Sequence, residues 1–315
     1  MTIHPHKVAV VAGATRGAGR GIARALGEAG YTVVCTGRSV RGAPSAYAMP
    51  ETVDETAAMI PDALAMRVDH TREDEVAALF SRVEREVGPV DVVVDSVAGE
   101  DPTLGAWTGM IDSGLASAET ALRQGLLTRV ITATHAARAM RAHGRGLLVE
   151  VTEHDLPFGA GGNLVAALVK TSVKNLAFVL ADELRSHGVA AVSVTPGFLR
   201  SEAMLRHFGV TEATWRDAIA KDPHFAVSET PLFVGRGVAR LACDPDRMRR
   251  TGELLSSWEL ARRYDVTDDD GARPDWGAHW RTTVVPTIES VRRTITGQAA
   301  WLEGLAARAR EQLLG

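Results

Sequence analysis

The chain has 315 residues, 45% of them hydrophobic and 23% charged, a composition typical of globular proteins that excludes a disordered chain. The formal net charge of −4 and the spread of lysine and arginine along the chain exclude a basic surface for nucleic acid. The two cysteines, Cys35 and Cys243, stand far apart, which fits a reducing compartment better than a disulfide framework.

The N-terminal residues lead directly into an apolar strand pattern, without the charged, apolar and cleavable parts of a secretory signal. No apolar run reaches the length that crosses a bilayer. His4 and His6 lie at a terminus that we expect to fray, and His135 and His143 have no carboxylate arranged as a third ligand. We therefore expect a cytoplasmic protein with no membrane partner, no nucleic-acid partner and no bound metal.

The first half of the chain alternates short apolar runs with amphipathic helical patterns, which is typical of β-α-β units and a parallel sheet. Strands are predicted at Val8–Ala12, Tyr31–Thr36, Leu64–Val68 and Val90–Asp95. Helices are predicted at Gly21–Ala29 and Glu73–Val87. The strand at 90–95 has the strongest strand pattern in the chain, and the β-branched residues of the strand at 31–36 suit burial on both faces.

The second half continues the alternation and then changes character. Helices are predicted at Glu119–His143 and Val165–His187, each closed by a glycine, and strands at Leu147–Val151, Val189–Thr195 and Glu253–Ser256. An acidic turn at Asp268–Gly271 precedes a helical pattern over about Ile288–Leu314. We predict one domain over 1–257 and a C-terminal extension over 258–315 that packs on the domain or on a partner subunit.

A glycine-rich turn carrying Gly13, Gly17 and Gly19 joins the first strand to the first helix. Glycines let the backbone turn sharply and approach a pyrophosphate, and a helix N-terminus supplies free N–H groups. A turn without a ligand is the alternative. The strand before and the helix after favour a dinucleotide site. The order of elements thus predicts an α/β fold with a Rossmann-type, doubly wound parallel sheet.

The end of the second strand indicates which dinucleotide binds. NAD-specific sites place an acid about 20 residues beyond the glycines, whereas an arginine there favours a 2′-phosphate. This chain has Arg38 and no acid before Glu51, and Arg16 adds a second cation from the glycine turn beside Thr15. Two solvated surface arginines are the alternative. The pattern predicts NADP (NADPH) as the cofactor.

These residues resemble the short-chain dehydrogenase/reductase family over approximately Lys7–Ser257. Besides the glycines, the resemblance rests on Asp69 after the third strand, on Lys170, and on Pro196-Gly197 after the sixth strand. The segment VDSVAG at 94–99 stands where the family usually has Asn-Asn-Ala-Gly. The resemblance implies that Asp69 contacts adenine, that Lys170 binds the nicotinamide ribose, and that Pro196 and Gly197 belong to the cofactor site.

The family's chemistry uses Asn, Ser, Tyr and Lys, and of these the resemblance retains only Lys170. Ala166 stands four residues earlier, where the family has its tyrosine. The three tyrosines, Tyr31, Tyr47 and Tyr264, have no lysine four residues later. The serine position falls at Glu153, and the asparagine position falls near Arg123. An ordinary reductase therefore needs another proton donor here.

Residues 152–155 (Thr-Glu-His-Asp) follow the fifth strand and are the candidate substitutes. His154 between two carboxylates fits a general acid or base near neutral pH, and Thr152 keeps a hydroxyl that replaces the serine as a donor. A solvated charged loop is the alternative. Arg123 and Lys170 would place two cations in one cleft, so we predict that Glu153 pairs with Arg123.

Three functions remain open. The first is an NADP(H)-dependent oxidoreductase with an altered acid/base group. The second is a non-redox cyclase, dehydratase or isomerase that reuses the cleft. The third is a catalytically silent subunit. The apolar segments Leu199–Phe208 and Phe225–Phe233 are predicted to cap the pocket of a fairly hydrophobic small-molecule substrate. The resemblance implies a homodimer or homotetramer.

Overall fold

The computed structural model describes residues 7–43, 49–97, 118–153 and 164–287. The chain forms two compact units, Met1–Pro274 and Asp275–Gly315. The predicted tail helix over 288–314, Tyr47, His154 and Asp155 lie outside the described residues. None of the described helices has both the length and the apolar character needed to cross a bilayer.

A seven-stranded, all-parallel sheet with the order β3-β2-β1-β4-β5-β6-β7 organises the first unit. Its strands are β1 Lys7–Ala12, β2 Tyr31–Gly37, β3 Leu64–Arg67, β4 Val90–Asp95, β5 Gly146–Val151, β6 Val189–Thr195 and β7 Leu254–Ser256. Helices cover both faces. The predicted Rossmann-type, doubly wound fold is confirmed.

The helices are α1 Gly17–Glu28, α2 Val53–Ala58, α3 Glu73–Glu86, α4 Thr128–His143, α5 Leu164–Leu184, α6 Glu202–Phe208, α7 Pro231–Cys243, α8 Ser257–Tyr264 and α9 Trp276–His279. A π-helical segment, Arg123–Leu127, leads directly into α4. Short 3₁₀ turns occupy Arg185–His187, Trp215–Ala220, Pro223–Val227 and Arg247–Arg250. Unit two begins with α9, where the rings of Trp276 and Trp280 lie 6.1 Å apart.

Alternate strand residues feed two hydrophobic cores, one on each face of the sheet. On one face Val11 and Val33 pack against Ile22 and Leu26 of α1. On the other face β1, β4 and β5 pack against α3, α4 and α5. Cys35 belongs to the first core, and burial raises the pKa of its thiol to about 12, so it behaves as the small buried apolar group that the sequence predicts.

The strand order reverses on either side of β1, and this opens a crevice at the carboxyl edge of the sheet. The loops after β1 and β4 meet there, since a Cβ atom added to Gly13 would lie 2.6 Å from the carbonyl oxygen of Ser96. The functional side chains therefore gather where parallel strands end.

The acidic turn near the end of unit one is partly buried. Asp268 accepts a hydrogen bond from the backbone N–H of Thr230 at 2.9 Å and lies 3.4 Å from the guanidinium of Arg200. Arg200 also stacks over the ring of Trp215 at 4.2 Å. The turn thus fixes the segment after β6 to the start of α7.

Candidate nucleotide-binding and catalytic site

Two positions of the glycine loop leave no room for a side chain. Gly13 has a φ of +76° and lies against Ser96, while a Cβ atom on Gly19 would lie 2.2 Å from the carbonyl oxygen of Gly13. The N–H groups of Gly13 and Ala14 donate to the carbonyl oxygen of Thr36 at 2.9 and 3.0 Å. The result is a bare, fixed backbone surface, which a pyrophosphate needs for close approach.

The N-terminus of α1 already holds a negative group. One carboxylate oxygen of Glu202 accepts a hydrogen bond from Gly17 N at 2.7 Å, and the other lies 3.2 Å from Arg20. Arg20 in turn donates to the carbonyl oxygen of Thr15 at 2.6 Å. Because this helix end stabilises negative charge, the loop and α1 fit the phosphates of a dinucleotide.

Arg38 follows β2 as an exposed side chain, and among the described residues it forms no hydrogen bond or ion pair. Asp69 lies close enough to be influenced by it. Burial alone would raise the pKa of Asp69, but hydrogen bonds from Thr71 and the positive charge of Arg38 lower it below its ordinary value. The exposed guanidinium of Arg38 and the ionised carboxylate of Asp69 thus lie at the part of the site that is predicted to bind the adenosine.

The second predicted cation, Arg16, has a carboxylate beside it. The fold brings Glu51 to 4.0 Å from Arg16, although Glu51 forms its principal ion pair with Arg206 of α6. Burial opposes the charge of Glu51, but the bond from Arg206 holds its pKa below the ordinary value. The expectation that no acid accompanies the two arginines is therefore wrong for Arg16. Arg38 carries the cofactor prediction alone.

Lys170 of α5 and Glu153 form an ion pair of 2.9 Å just beyond the end of β5. The predicted Glu153–Arg123 pair is wrong. Arg123 is exposed and, in the part of the chain that the structure describes, has no ion pair. Lys170 is therefore the partner of Glu153, in the place that the prediction gave to Arg123. The Glu153 carboxylate compensates the positive charge of Lys170.

The π-helical segment lies where the family asparagine is expected. A Cβ atom on the buried Gly125 would lie 2.7 Å from Cγ1 of Val169, so α5 packs directly on this segment. π-bulges widen a helix locally and occur frequently at functional sites. The segment thus packs closely on α5, although no sequence pattern predicts it.

Thr152 and the Pro196-Gly197 pair complete the carboxyl edge. The N–H of Thr152 donates to the carbonyl oxygen of Val194 at 2.9 Å, and its side chain is buried. Pro196 and Gly197 are buried immediately after β6. Their placement at the strand ends is as predicted from the sequence.

Three charged residues lie buried beneath this edge, between the sheet and α4. Asp95 and Glu150 are register partners on β4 and β5, and Arg129 reaches them from α4. Arg129 lies 2.9 Å from a Glu150 oxygen and 3.9 Å from Asp95, and it also donates to the carbonyl oxygen of Val97 at 3.0 Å. A glutamate inside the apolar strand LLVEV is the signal that could have predicted this cluster, because buried charges require partners.

A buried histidine connects the end of β2 to α4. Nε2 of His70 lies 2.8 Å from Oγ1 of Thr36, and Nδ1 lies 2.9 Å from Oγ1 of Thr132. The Thr132 hydroxyl donates to the carbonyl oxygen of Thr128, so it accepts from His70 Nδ1–H. Burial is the main cause that lowers the pKa of His70, and the ring is therefore neutral at physiological pH.

The apolar segments predicted to cap a substrate pocket pack on each other instead. The rings of Phe208 and Phe225 lie 4.7 Å apart, and the Trp215 ring lies 6.0 Å from Phe225. All three side chains are buried in this small cluster. Their hydrophobicity serves packing, so it gives no information about the substrate. Within the described residues no three His, Cys, Asp or Glu side chains are grouped as a metal site.

Comparison with known proteins identifies the family. A family model described as Enoyl-(Acyl carrier protein) reductase matches residues 13–254. Dehydrogenase/reductase SDR family member 1 of Mus musculus is 35% identical over 277 residues, which are 84% of each chain. The chain belongs to the short-chain dehydrogenase/reductase family. The Homo sapiens protein of the same name is 32% identical over the same shares. Members of this family are NAD(P)-dependent oxidoreductases.

Solved structures show the same fold at low sequence identity. YwfH, an NADPH-dependent reductase, has a TM-score of 0.64 and 17% identity over 80% of this chain and 96% of its own. A tyrosine-to-phenylalanine variant of ElxO with NADPH bound has a TM-score of 0.67 and 19% identity over 80% and 97%. These similarities concern the fold.

Proposed function

We propose that the chain is an NADP(H)-dependent oxidoreductase that acts on a small carbonyl or alcohol substrate with an acid/base group other than tyrosine. The observation that carries the choice of NADP(H) is the exposed guanidinium of Arg38 at the end of β2. An NAD-specific site would present a carboxylate there to hold the ribose hydroxyl. The NADPH named for YwfH and for the ElxO variant supports this choice.

Different residues of the chain bind different parts of the dinucleotide. The backbone of the glycine loop and the first turn of α1 receive the phosphates. Arg38 pairs with the 2′-phosphate, and Asp69 lies at the adenine end. Lys170 reaches the nicotinamide ribose, and Pro196-Gly197 borders the nicotinamide. The bound dinucleotide supplies hydride transfer, and the protein must supply the proton.

Neither described tyrosine is available for that proton. Tyr31 begins β2, at the sheet edge opposite the site, and donates to the carbonyl oxygen of Ala242 at 3.2 Å. Tyr264 donates to Asp244 at 2.7 Å. In this proposal the Thr152 hydroxyl binds the substrate oxygen, and Lys170, held by Glu153, keeps positive charge beside it.

Calorimetric titration of Arg38→Ala tests the cofactor assignment. We expect NADPH affinity to fall on the order of 10-fold while NADH affinity stays unchanged, because only NADPH carries the phosphate that Arg38 binds. Arg41→Ala is the matched control, an exposed arginine three residues away whose side chain makes no hydrogen bond or ion pair with the described residues. An equal loss for both nucleotides would refute the role of Arg38.

Hydride turnover with a panel of small aldehydes, ketones and alcohols tests the reaction class. Oxidation of NADPH that depends on the carbonyl compound supports the oxidoreductase. Conversion of a compound without a change in nucleotide absorbance supports the cyclase, dehydratase or isomerase instead. The ion pair of Lys170 with Glu153 supports this second candidate, because the charge of Lys170 is already compensated by a carboxylate of the protein.

We further propose that two copies of the chain associate through α4 and α5, giving a homodimer or a larger homo-oligomer. Exposed apolar side chains on these helices support an interface. Leu168, Phe178 and Val179 are 51%, 66% and 54% exposed, and Val130 is 42% exposed. Association would remove this apolar surface from water.

A further inference from the structure

Helix α6 begins beside the glycine loop, although it comes from the segment after β6. A Cβ atom added to Gly17 would lie 3.6 Å from Cβ of Ser201, the residue that caps α6, and 3.9 Å from Cδ2 of Leu199. Glu202, the first residue of the helix, contacts the loop through Gly17 N. Arg206 follows one helical turn later, so it also lies close to the residues that border the nucleotide.

Glu51 lies beside the end of β2, just before α2. The backbone N–H of Val53, the first residue of α2, donates to the carbonyl oxygen of Ser39 at 3.0 Å. A Cβ atom added to Gly37 would lie 3.1 Å from Cγ1 of Val53 and 3.2 Å from Cγ2 of Thr15. The start of α2, the end of β2 and the glycine loop thus meet at one place, where the 2′-phosphate of NADPH is proposed to bind.

The buried carboxylate of Glu51 has two guanidinium groups near it. The residue is 6% exposed. Arg206 donates to it twice, from Nη1 to Oε1 and from Nη2 to Oε2, the second bond being 3.3 Å long. Arg16 lies 4.0 Å from Oε2, which is beyond hydrogen-bond distance. Because Arg206 already binds both oxygens of Glu51, the guanidinium of Arg16 is left for another anion.

The net charge at this place decides whether it attracts a phosphate group. An ionised carboxylate repels a phosphate, and the repulsion is stronger where burial reduces screening by water. Without Arg206, the nearest cation to compensate Glu51 would be Arg16. A carboxylate in such a position is also what NAD-specific sites use to hold the ribose hydroxyl. The ion pair with Arg206 removes this competing negative charge.

We propose that Arg206 makes the site selective for NADPH by neutralising Glu51, so that Arg16 joins Arg38 in binding the 2′-phosphate. Arg206 is a positioning residue, because it acts through Glu51 on the availability of Arg16. The inference rests on the proposed NADP(H)-dependent function and assigns part of its cofactor selectivity to α6, a helix outside the glycine loop and β2.

Calorimetric titration with NADPH and NADH tests the role of Arg206. Arg206→Gln should weaken NADPH binding on the order of 10-fold and leave NADH binding unchanged or tighter, because only NADPH carries the 2′-phosphate. Arg41→Gln is the matched control, the loss of one exposed arginine three residues after Arg38. An equal loss of affinity for NADPH and NADH overturns the proposal, and so does an equal loss of NADPH affinity in Arg41→Gln.

Removal of Glu51 tests the route by which Arg206 acts. Glu51→Gln should bind NADPH at least as tightly as the parent protein, because the competing carboxylate is gone. The double variant Glu51→Gln with Arg206→Gln should regain the NADPH affinity of the parent protein, which a purely structural role of the ion pair would not allow. A double variant that binds NADPH as weakly as Arg206→Gln overturns the proposal. If Arg206→Gln does not fold, weaker NADPH binding by Glu51→Gln overturns it.

Titration with adenosine 2′,5′-bisphosphate and a separate turnover assay distinguish this inference from the proposed function. The bisphosphate carries the 2′-phosphate without the nicotinamide, and its binding should weaken in Arg206→Gln on the order of 10-fold, as for NADPH. Unchanged binding of the bisphosphate by Arg206→Gln overturns the inference alone. The expected binding pattern without any hydride turnover overturns the oxidoreductase and keeps the role of Arg206, whereas a chain that binds neither NADPH nor the bisphosphate overturns both.

Discussion

At the scale of single residues, the positive φ of Gly13 and its close approach to Ser96 matter both for stability and for nucleotide binding. Gly13→Ala should lower the free energy of unfolding by about 1 kcal/mol or more, because a side chain at positive φ is strained and the new Cβ atom meets Ser96. It should also abolish nucleotide binding, because relief of the contact moves the loop. Chemical unfolding and calorimetry measure the two effects.

Gly30→Ala is the control for the strain alone. Gly30 has a φ of +84°, and a Cβ atom there would have nothing within 4 Å. We expect it to lose similar stability from strain but to bind nucleotide normally. Equal binding by both variants would show that close approach at Gly13 is not required.

His70 gives the chain a defined response to acid. Its pKa is lowered in the folded state, mainly by burial, so the unfolded chain binds the proton more tightly. The contribution of His70 to stability is therefore complete above its ordinary value of 6.5 and is lost as the pH falls below it. The free energy of unfolding should decrease by up to about 1.4 kcal/mol per pH unit there.

Urea unfolding at several pH values checks this response in the parent protein and in His70→Asn. The variant should be less stable at neutral pH, since it loses one bond to a threonine, but its acid slope should be shallower. An unchanged slope in His70→Asn would contradict the assignment of a neutral buried ring.

The residues of the site could be predicted only in part. The glycines, Arg38, Asp69 and Lys170 follow from motifs that depend on local spacing. Arg129 and Glu150 lie on a helix and a strand whose contact depends on the packing of α4 on the sheet, which no local pattern specifies. The pairing of Glu153 with Lys170 likewise depends on where α5 crosses the end of β5.

At the scale of elements, β4 and β6 begin and end at the predicted residues, because both are short valine-rich runs that favour a strand. Helix α1 begins at Gly17 rather than at the predicted Gly21, since the glycines there serve close packing and do not interrupt the helix. The start of helix α7 is marked by capping residues, although the hydrophobic pattern did not predict this helix. Thr230 caps it by accepting from Phe233 N, and a proline occupies its first turn.

The contact between α6 and α1 makes a prediction about two helices. Glu202→Gln removes the negative charge at the N-terminus of α1, so it should lower the free energy of unfolding by about 0.5–1 kcal/mol. It should also strengthen NADPH binding at low salt, because the carboxylate and the nucleotide phosphates repel each other. Glu28→Gln, at the opposite end of α1, should do neither. Weaker NADPH binding by Glu202→Gln would show that this carboxylate supports the nucleotide loop instead.

At the scale of the whole molecule, the alternation of strands and helices was sufficient to predict the fold class, since parallel strands with intervening helices have few stable arrangements.

The association of copies of the chain depends on its surface and not on its core. Phe178→Glu, which places charge on the most exposed of the described apolar side chains of α5, should reduce the mass measured by light scattering to that of one chain. Lys174→Gln, one turn earlier, changes the charge by the same amount at a polar position. An unchanged mass for Phe178→Glu would exclude this face.

The most direct test of the proposed function is calorimetric titration of the purified protein with NADPH and, under the same conditions, with NADH. The glycine loop and the N-terminus of α1 predict that a dinucleotide binds, and Arg38 predicts that NADPH binds more tightly than NADH, on the order of 10-fold or more. Equal or tighter binding of NADH would contradict the role of Arg38, and binding of neither nucleotide would contradict an NADP(H)-dependent oxidoreductase.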